Sequence, residues 1–466
     1  MAENAEQTPQ GAPEAPQAAD LLGLGPDLVR AVADAIETGD EVAVDALVGP
    51  LHYAELADLL EQLGPDQRSK LIERIRLRFD PGMLLELDDE ILDDVVDQLG
   101  TAAVARAIAR MDSDDALTTI TRLDEARQGQ ILSAIPNALR SMIEEQLAFP
   151  EDSAGRLMQR EFVAVPAFWT VGQTIDFLRE NEGLPDEFYD IFVVDPRHRP
   201  VGIVSLSRVL RTKRPVLMSE IMESGPITVP AGMDQEEVAY VVRQQDLVSA
   251  PVVDQQGRLI GVVTVDDIVD VIDEEAEEDI MHLGGVGADD LYADVIETGK
   301  RRFSWLFLNL VTAIIASAGI ALFESTIAQI VVLAVLMPIV ASMGGNAGTQ
   351  TLTVAVRAIA MKELTPANAG RIVGKEALVG LLNGTLFAAI VAFGAWAWTG
   401  DRHIGLVLAG AMVVNLIAAG LAGAAIPLGL ARAGIDPALA SGVFLTTVTD
   451  VVGFCAFLGL AAWFLL

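Results

Sequence analysis

The sequence predicts a multidomain protein that combines an all-α helical N domain, an α/β tandem domain and a transmembrane domain of five α-helices. Three observations lead to this prediction. Apolar residues recur at helical spacing up to about residue 150, a pattern of short β-branched runs occurs twice between about residues 162 and 272, and five long apolar stretches follow residue 302. A chain of 466 residues is long enough to hold all three parts.

Charge is distributed unevenly along the chain. Residues 1–299 hold 60 of the 66 acidic residues and 22 of the 31 basic residues, a net charge of −38, whereas residues 300–466 hold six acidic and nine basic residues. An acidic surface repels nucleic acid, whose phosphates need Lys and Arg, and it favours cations as partners. We therefore expect no nucleic-acid partner. A merely solvated acidic surface is the alternative interpretation.

The first 20 residues are rich in Ala, Pro, Gln and Glu, and they carry neither a basic start nor an apolar run. They resemble neither a signal peptide nor a mitochondrial transit peptide, so we interpret residues 1–20 as a disordered cytoplasmic tail. Cys455 is the only cysteine and lies in an apolar stretch. The sequence therefore predicts no disulfide framework, no Cys-based metal site and a reducing compartment.

Residues 21–150 have the pattern of a helical domain. Short segments with apolar residues at helical spacing, such as 59–63 and 91–96, are separated by Gly, Pro and Asp. The segments around Leu60, Leu85 and Ala107 look like irregular repeats of one small helical unit. Such repeats predict a stacked, superhelical N domain.

An internal duplication follows the helical domain. A Val-Val-Asp strand at 193–195 and a Gly-Ile-Val-Ser run at 202–205 recur 59 residues later as 252–254 and 261–264. Short β-branched runs, each accompanied by a helix, predict an α/β fold. The pattern resembles the tandem CBS domain, a regulatory module that often binds adenine nucleotides, and we assign residues 151–272 to it.

A helix dense in acids is predicted over residues 266–283, and two glycines end it. We assign residues 273–302, which include the second half of this helix, to an acidic connecting (plug) helix and linker. Like charges four residues apart on a helix cost about 0.2–0.5 kcal/mol per pair, so without cations this helix repels itself. Divalent cations would remove the repulsion and favour a compact state. A plain solvated face is the alternative. The candidate regulatory metal ligands are Asp266, Asp270, Asp273, Glu274, Glu275, Glu277, Glu278 and Asp279.

Five apolar stretches predict five transmembrane helices at 303–322, 326–356, 373–398, 404–430 and 437–466, within a pore domain that covers 303–466. Each has the roughly 20 residues needed to cross about 30 Å of hydrocarbon. Eight basic residues of the connecting loops lie on one side, and Arg402 alone lies on the other. The positive-inside rule then predicts a multi-pass protein of the cell (inner) membrane, with the N-terminus cytoplasmic and the C-terminus outside.

One acidic residue, Asp450, lies deep within a predicted span. A charge at the centre of a membrane helix costs roughly 2.5–3.5 kcal/mol on insertion scales. The fifth span contains no Lys or Arg to pair with it. A cation or water in a pore explains such a carboxylate better than protonation or a pair with a basic residue at a helix end.

The second span contains Pro338 and a glycine-rich run at 342–350. Glycine lets the backbone leave the helical ladder, and irregular backbone at membrane depth is tolerated where it lines a cavity or is buried in protein. We therefore expect this span to be interrupted and to line a pore; close helix packing through small residues is the alternative. The candidate pore residues are Gly344, Gly345, Asn346, Gly348, Thr446, Thr447 and Asp450.

The residue types in the spans indicate a hard divalent cation. Magnesium prefers oxygen ligands in octahedral geometry and loses its waters reluctantly, so proteins hold it through one or two carboxylates with waters retained. One Asp450 together with carbonyl and amide oxygens fits that description. Zinc or copper would require His or Cys, and no His lies within a predicted span, because His403 lies in a loop.

Five motifs extend this interpretation: SAGRLM at 153–158, MPIVA at 337–341, GGNAGTQ at 344–350, DPA at 436–438 and TTxxDxxG at 446–453. Their combination and order resemble the MgtE-type magnesium channel family, from about residue 21 to the last residue. The resemblance implies Mg²⁺ uptake across the plasma membrane by a homodimer, with the pore at the subunit interface and two Asp450 carboxylates facing its axis. Mg²⁺ would pass largely hydrated.

The resemblance also implies how such a pore is closed. When cytoplasmic Mg²⁺ is high, Mg²⁺ would bridge acidic residues of the N domain, the CBS pair and the connecting helix. Mg²⁺ is therefore implied both as the transported ion and as a regulator, and the implied partners are a second copy, membrane lipid and divalent cations.

An adenine nucleotide is a further ligand implied by the resemblance. CBS modules commonly carry a Gly-hydrophobic-hydrophobic-Thr/Ser-x-x-Asp run that places the hydroxyl near the phosphates and the carboxylate on the ribose. The second repeat keeps this run as Gly261, Thr264 and Asp267, whereas the first has Arg208 in place of the Asp. At most one complete site, for ATP, is implied.

Two other functions stay open: a secondary transporter of another divalent cation such as Co²⁺ or Mn²⁺, and a membrane-anchored CBS sensor without transport. Coupled transport usually needs further titratable groups in the membrane, and a sensor leaves Asp450 unexplained. The sequence contains no nucleophile elbow, no P-loop and no cluster of His ligands, so we do not expect an enzyme.

Overall fold

The structure of the chain is a computed structural model, and it describes residues 24–181, 183–185, 187–286 and 295–466. The predicted tail, 1–20, lies outside these residues, as does part of the predicted linker. The chain divides into two units, Met1–Ile272 and Asp273–Leu466.

The N-terminal part of the first unit is all-α, as predicted. Asp40, Asp88 and Asp124 each cap the helix that follows by accepting a hydrogen bond from its first turn. The apolar faces share one core that runs from Val32 to Ile143. The helices are α1 (Pro26–Thr38), α2 (Glu41–Val48), α3 (Tyr53–Gln62), α4 (Pro65–Ile75), α5 (Met83–Glu86), α6 (Asp89–Leu99), α7 (Thr101–Ile108), α8 (Ser113–Thr121), α9 (Glu125–Ala134) and α10 (Asn137–Gln146), with a 3₁₀ turn at Arg76–Arg78.

Two α/β halves complete the first unit, and both sheets pair their first two strands in parallel and the others antiparallel. The elements are α11 (Ala154–Leu157), β1 (Ala164–Pro166), α12 (Val171–Glu180), β2 (Asp190–Val194), β3 (Pro200–Ser205), α13 (Leu206–Arg211), α14 (Met218–Ile221) and β4 (Glu223–Ser224), then β5 (Val229–Pro230), α15 (Gln235–Gln244), β6 (Ser249–Val253), β7 (Leu259–Thr264) and α16 (Val265–Gly284).

The predicted duplication is confirmed by strand register. Val193 pairs with Gly202 in the first sheet, and Val252 pairs with Gly261 in the second, each 59 residues later in the chain. The two halves share an apolar cluster of Phe192, Val194, Leu259 and Val262. The tandem α/β fold therefore follows from a local pattern that occurs twice.

Among its described residues, the second unit contains five helices that are long and apolar enough to cross a membrane, as predicted. Each has 27 to 31 residues, and α21 lies at the centre of the bundle because it contacts α19, α20 and α22. The helices are α17 (Val295–Ala321), the short α18 (Glu324–Gln329), α19 (Val332–Ala360), α20 (Ala369–Thr399), α21 (Arg402–Arg432) and α22 (Pro437–Phe464).

The prediction of an interrupted second span is wrong. Residues 324–329 form the separate helix α18, and α19 then continues without a break through Pro338 and the glycine-rich run to Ala360. The glycines serve helix packing: a Cβ on Gly344 would lie 2.1 Å from the amide nitrogen of Asn415, and one on Gly348 would lie 2.8 Å from Leu445. Close approach between helices explains these two glycines without irregular backbone.

Candidate functional site

Helix α19 presents two chemically different faces. Gly344 and Gly348 are buried on one face, against α21 and α22. The opposite face is exposed in the single chain and carries polar side chains at helical spacing, with Gly345 beside them, where a Cβ would meet nothing within 4 Å. We call this face the polar stripe, and it consists of Ser342, Asn346, Thr349 and Thr353.

Threonine hydroxyl groups of the stripe and of α22 donate hydrogen bonds to backbone carbonyl oxygens of their own helices. Thr349 and Thr353 donate to the carbonyl oxygens of Gly345 and Thr349, at 2.9 and 3.0 Å. On α22, Thr446 donates to Gly442 at 2.9 Å and Thr447 to Val443 at 2.7 Å. Since each hydrogen atom is used within its own helix, the hydroxyl oxygens keep their lone pairs for outside donors. Such oxygens suit a cation or the waters around it.

Asp450 lies in the middle of α22 and is partly exposed in the single chain. No hydrogen-bond donor or basic group of the described residues acts on its carboxylate. Four basic residues at helix ends were possible partners from the sequence, but among the described residues none of them pairs with Asp450: Arg357, Arg371, Lys375 and Arg432. Lys375 instead lies 3.4 Å from Glu376. The carboxylate is thus available to a group from outside the chain.

Thr349 and Thr446 lie on different helices but line one cavity of about 470 Å³. The cavity lies where α19 and α22 meet the start of α17 and the C-terminal end of α16, and its wall includes His282, Gly285 and Trp305. The predicted pore residue Thr446 and Thr349, which follows the predicted pore residue Gly348, therefore lie on one cavity at the end of α16.

A second acid within the spans was missed from the sequence. Glu376 of α20 keeps only 13% of its side chain exposed. Its carboxylate accepts a hydrogen bond from the hydroxyl of Thr351 at 3.2 Å and lines a cavity of about 170 Å³ together with Gln350 and Asn383. It is the fourth residue of the predicted span 373–398, next to Lys375, whereas the sequence argument considered only acids deep within a span.

Acidic side chains of the N domain face the first turns of α16 within the first unit. Burial, followed by the charge of Asp267, raises the pKa of Asp114 well above its usual value. The same two causes raise the pKa of Asp115 to about 7, with Asp266 and Asp270 adding to the effect. We call Asp114, Asp115, Asp266, Asp267 and Asp270 the acidic junction.

The acidic junction extends to neighbouring residues. Burial and then the charge of Asp270 raise the pKa of Glu86. The pKa of Asp267 itself rises to about 6, chiefly through burial, although its carboxylate accepts a hydrogen bond from Thr264. Mutual repulsion of this kind is relieved by a cation or by protons. Asp114, Asp115 and Glu86 were not singled out from the sequence, because acids in the first turn of a helix are ordinary.

The second half of α16 belongs to the other unit. His282 Nδ1 lies 2.9 Å from a carboxylate oxygen of Asp436, the residue that caps α22. Burial and then the charges of Asp436 and Glu278 raise the pKa of Asp279. Six of the predicted regulatory acids lie on this half, and four of them, Asp273, Glu274, Glu277 and Glu278, are exposed; the other two are Glu275 and Asp279.

No three His, Cys, Asp or Glu side chains converge on a common point that could hold a metal ion, in the part of the chain that the structure describes.

The predicted nucleotide residues lie together at the end of β7 and the start of α16. Gly261 has a structural reason of its own, because a Cβ there would lie 2.6 Å from the sulfur of Met158 and 2.8 Å from the carbonyl oxygen of Gln159. Thr264 and Asp267 are hydrogen-bonded to each other. In the first repeat, Arg208 pairs with Glu223 at 3.2 Å.

Comparison with known proteins matches all three parts of the chain. The family model described as "Divalent cation transporter" matches residues 337–460, and the one described as "MgtE intracellular N domain" matches residues 51–152. CBS domain models match residues 154–214 and 218–274.

Curated relatives cover nearly the whole chain. The magnesium transporter MgtE of Thermus thermophilus is 31% identical over 93% of this chain and 98% of its own length. MgtE of Bacillus subtilis is 28% identical over 90% and 93%, and that of Enterococcus faecalis is 34% identical over 69% and 71%.

Solved structures include the soluble part of a magnesium transporter, 28% identical, with a TM-score of 0.46, covering 54% of this chain and 98% of that one. Another is the cytosolic domain of the Mg²⁺ channel MgtE in complex with ATP, 29% identical, with a TM-score of 0.40, covering 52% and 99%.

The helical bundle and the matches to it define a multi-pass membrane transporter of divalent cations that carries an N domain and a CBS pair. Near-complete coverage by a relative at 31% identity makes the assignment more specific. The chain belongs to the MgtE family of magnesium transporters.

Proposed function

We propose that two copies of this chain form a Mg²⁺-conducting pore lined by the polar stripe of α19 and by Asp450 of α22. The observation that carries the proposal is that the stripe and Asp450 are polar, lie within spans, and stay accessible in the single chain. Polar groups at membrane depth face water or protein rather than lipid, because hydrocarbon offers them no hydrogen bonds.

In this proposal, a second copy of the chain covers the polar stripe. The five spans of one chain leave the stripe on the bundle surface, where it would otherwise contact lipid. A homodimer that brings two stripes together encloses a polar path and places two Asp450 carboxylates near its axis. Closed two-fold symmetry is the commonest arrangement for such pairs.

Oxygen chemistry supports Mg²⁺ as the ion in this path. The stripe and its neighbours offer hydroxyl, amide and carboxylate oxygens, and no sulfur or imidazole ligand stands among the stripe residues or Asp450. Two carboxylates with waters retained meet the preference of Mg²⁺. The threonine oxygens, whose hydrogens are used within their own helices, accept hydrogen bonds from those waters.

The acidic junction supports closure by cytoplasmic Mg²⁺. Burial and then the negative charge of Asp267 on α16 raise the pKa values of Asp114 and Asp115 of the N domain, so a divalent cation bound among these carboxylates would draw the two parts together. Helix α16 continues to His282, which contacts Asp436 at the start of the helix that carries Asp450. In this proposal, Mg²⁺ at the junction and along the acids of α16 holds α16 in the position that closes the path.

The proposal places the N-terminus in the cytoplasm and the C-terminus outside. Three basic residues at the start of α17 and others at the ends of α19, α20 and α21 support this orientation through the positive-inside rule. The acidic junction then lies in the compartment whose Mg²⁺ concentration it responds to.

ATP at the second CBS repeat is a further part of the proposal. Thr264 and Asp267 are held together by a hydrogen bond next to the start of α16, where they could meet a phosphate and a ribose. Asp267 also belongs to the acidic junction, so a bound nucleotide would change the charge that the junction presents to Mg²⁺.

One observation favours a second candidate, coupled secondary transport of a divalent cation. Glu376 adds a largely buried titratable group within a span, and coupled transporters use such groups as proton carriers. Its carboxylate is hydrogen-bonded to Thr351 and lines a different cavity from the one that Thr349 and Thr446 line, so the channel is the better-supported function.

Mg²⁺ flux into liposomes that contain the purified full chain tests the pore. We expect Asp450→Asn to remove most of the flux, whereas Glu324→Gln, which removes an exposed acid from α18, leaves it unchanged. Equal flux in the wild type and Asp450→Asn would contradict the pore assignment. A dependence of the wild-type flux on a proton gradient would favour the coupled transporter instead.

A further inference from the structure

Asn415 is a polar residue with no solvent exposure in the middle of the apolar helix α21. Its Nδ2 atom donates a hydrogen bond to the carbonyl oxygen of Val340 at 2.8 Å. Its Oδ1 atom has no hydrogen-bond partner among the described residues. A buried amide whose oxygen lacks a hydrogen-bond partner stabilises the folded protein no more than an apolar side chain of the same shape would. Packing alone therefore does not explain why an Asn occupies this position.

The amide lies where three membrane helices meet. A Cβ on Gly344 of α19 would lie 2.1 Å from Asn415 Nδ2, and a Cβ on Gly453 of α22 would lie 2.8 Å from the same atom. Both distances are far below contact between side chains, so the amide reaches the backbones of both helices only because these residues are glycines. Asn415 thus joins α19, α21 and α22 at one point.

This point is adjacent along α19 and α22 to residues of the proposed path. On α19, Gly344 is followed by Gly345, which lies beside the polar stripe, and then by Asn346, which belongs to the stripe. Gly453 follows Asp450 by three residues and therefore lies on the same side of α22, one turn further along. A shift at Asn415 consequently moves both walls of the path relative to each other.

We infer that Asn415 is a positioning residue of the pore. By holding α19 through Val340 and separating the backbones at Gly344 and Gly453, it sets the distance between the Asp450 carboxylate and the polar stripe. The inference rests on the proposed function of these two features. A hydrated Mg²⁺ ion demands near-ideal octahedral geometry, so a small change in this distance alters conduction and selectivity before it alters the fold.

Replacement by an apolar residue of similar size gives the first test, with flux measured in liposomes containing the full chain. We expect Asn415→Leu to lower Mg²⁺ influx by about tenfold or more and to change the ratio of Mg²⁺ to Ca²⁺ influx. The unfolding temperature and the internal Mg²⁺ that halves the flux should stay near wild type. The matched control is Met412→Leu, a volume-conserving change at a fully buried position of α21 that packs against Ala388 of α20, and its flux should stay within about twofold.

A double-mutant cycle gives the second test and does not depend on how well leucine fits. In Gly453→Ala, the new methyl group collides with the Asn415 amide, whereas Asn415→Ala vacates that space. We therefore expect Gly453→Ala to reduce Mg²⁺ influx by a larger factor in the wild-type background than in the Asn415→Ala background. Equal factors, or wild-type flux and selectivity in Asn415→Leu, would overturn the inference.

The proposed function fails by a different result, namely unchanged flux in Asp450→Asn. If that variant is inactive while the Asn415 and Gly453 variants behave independently of each other, the pore assignment stands and only the positioning role is lost.

Discussion

The acidic junction leads to a prediction about pH and stability that does not require transport to be measured. Asp115 has a pKa of about 7, against an ordinary value of 3.8, because it is buried near Asp267. At about 1.4 kcal/mol per unit, this difference corresponds to a folding cost of up to about 4 kcal/mol when the carboxylate is ionised. We expect Asp115→Asn to remove most of that cost.

The sign follows from which state binds the proton. The pKa is higher in the folded protein, so the cost is complete above about pH 7 and falls away as the pH decreases from about 7 to 3.8. Without Mg²⁺ at pH 8, Asp115→Asn should therefore unfold several degrees above wild type, by roughly 2–4 °C per kcal/mol for a domain of this size. The gain should shrink steadily as the pH is lowered to 5.

Thermal unfolding of the full chain in detergent, followed at several pH values with and without Mg²⁺, is the assay. The matched control is Asp66→Asn, which removes an exposed acid from the first turn of α4, as Asp115 lies in the first turn of α8. Mg²⁺ should raise the unfolding temperature of wild type more than that of Asp115→Asn, because the variant has lost part of the repulsion that Mg²⁺ relieves. Identical pH profiles for the two variants would refute the reasoning.

Three shorter predictions concern other parts of the chain. Gly380→Ala would place a Cβ 2.4 Å from the carbonyl oxygen of Leu416, so it should destabilise the bundle by about 1–3 kcal/mol in detergent unfolding, whereas Gly394→Ala meets nothing within 4 Å and should be neutral or stabilising. Glu376→Gln should leave Mg²⁺ flux and its independence of a proton gradient unchanged; loss of a proton-driven component would support coupled transport. Gly261→Ala should lower the unfolding temperature in the absence of nucleotide, because its Cβ would meet a backbone oxygen at 2.8 Å, and an effect seen only with ATP present would instead favour direct contact.

The parts of the fold that the sequence predicts are those that depend on local patterns. The two α/β halves follow from apolar runs that repeat after 59 residues, and their strand registers agree. Helix α16 ends next to Gly285, which adopts a φ of 69° that favours glycine. The five spans follow from length and composition alone.

Which face of α19 is buried and which is exposed could not be predicted, because Gly344 and Gly345 are neighbouring glycines. Only the distant Asn415 distinguishes them: it fills the space beside Gly344 and leaves Gly345 open. The prediction of an interrupted helix failed for the same reason, since it assigned to backbone irregularity what close packing explains.

The sequence indicates only those residues of the acidic junction that lie on α16. The acids of α16 are conspicuous as a dense run, but Asp114 and Asp115 look like ordinary first-turn acids until the fold places them near Asp267. Asn415 could have been identified from the sequence, because it is a polar residue within an apolar span, as Asp450 is.

Mg²⁺ influx into liposomes loaded with either micromolar or tens of millimolar Mg²⁺ tests whether the chain conducts Mg²⁺ and whether internal Mg²⁺ closes it. With the full chain oriented so that its N-terminal half faces the lumen, we expect rapid influx at micromolar internal Mg²⁺ and near-complete closure at tens of millimolar. Asp450→Asn should remove most of the influx at micromolar internal Mg²⁺. Equal wild-type influx at both internal concentrations, once corrected for the gradient, would contradict closure by Mg²⁺, and influx through Asp450→Asn at the wild-type rate would contradict the path itself.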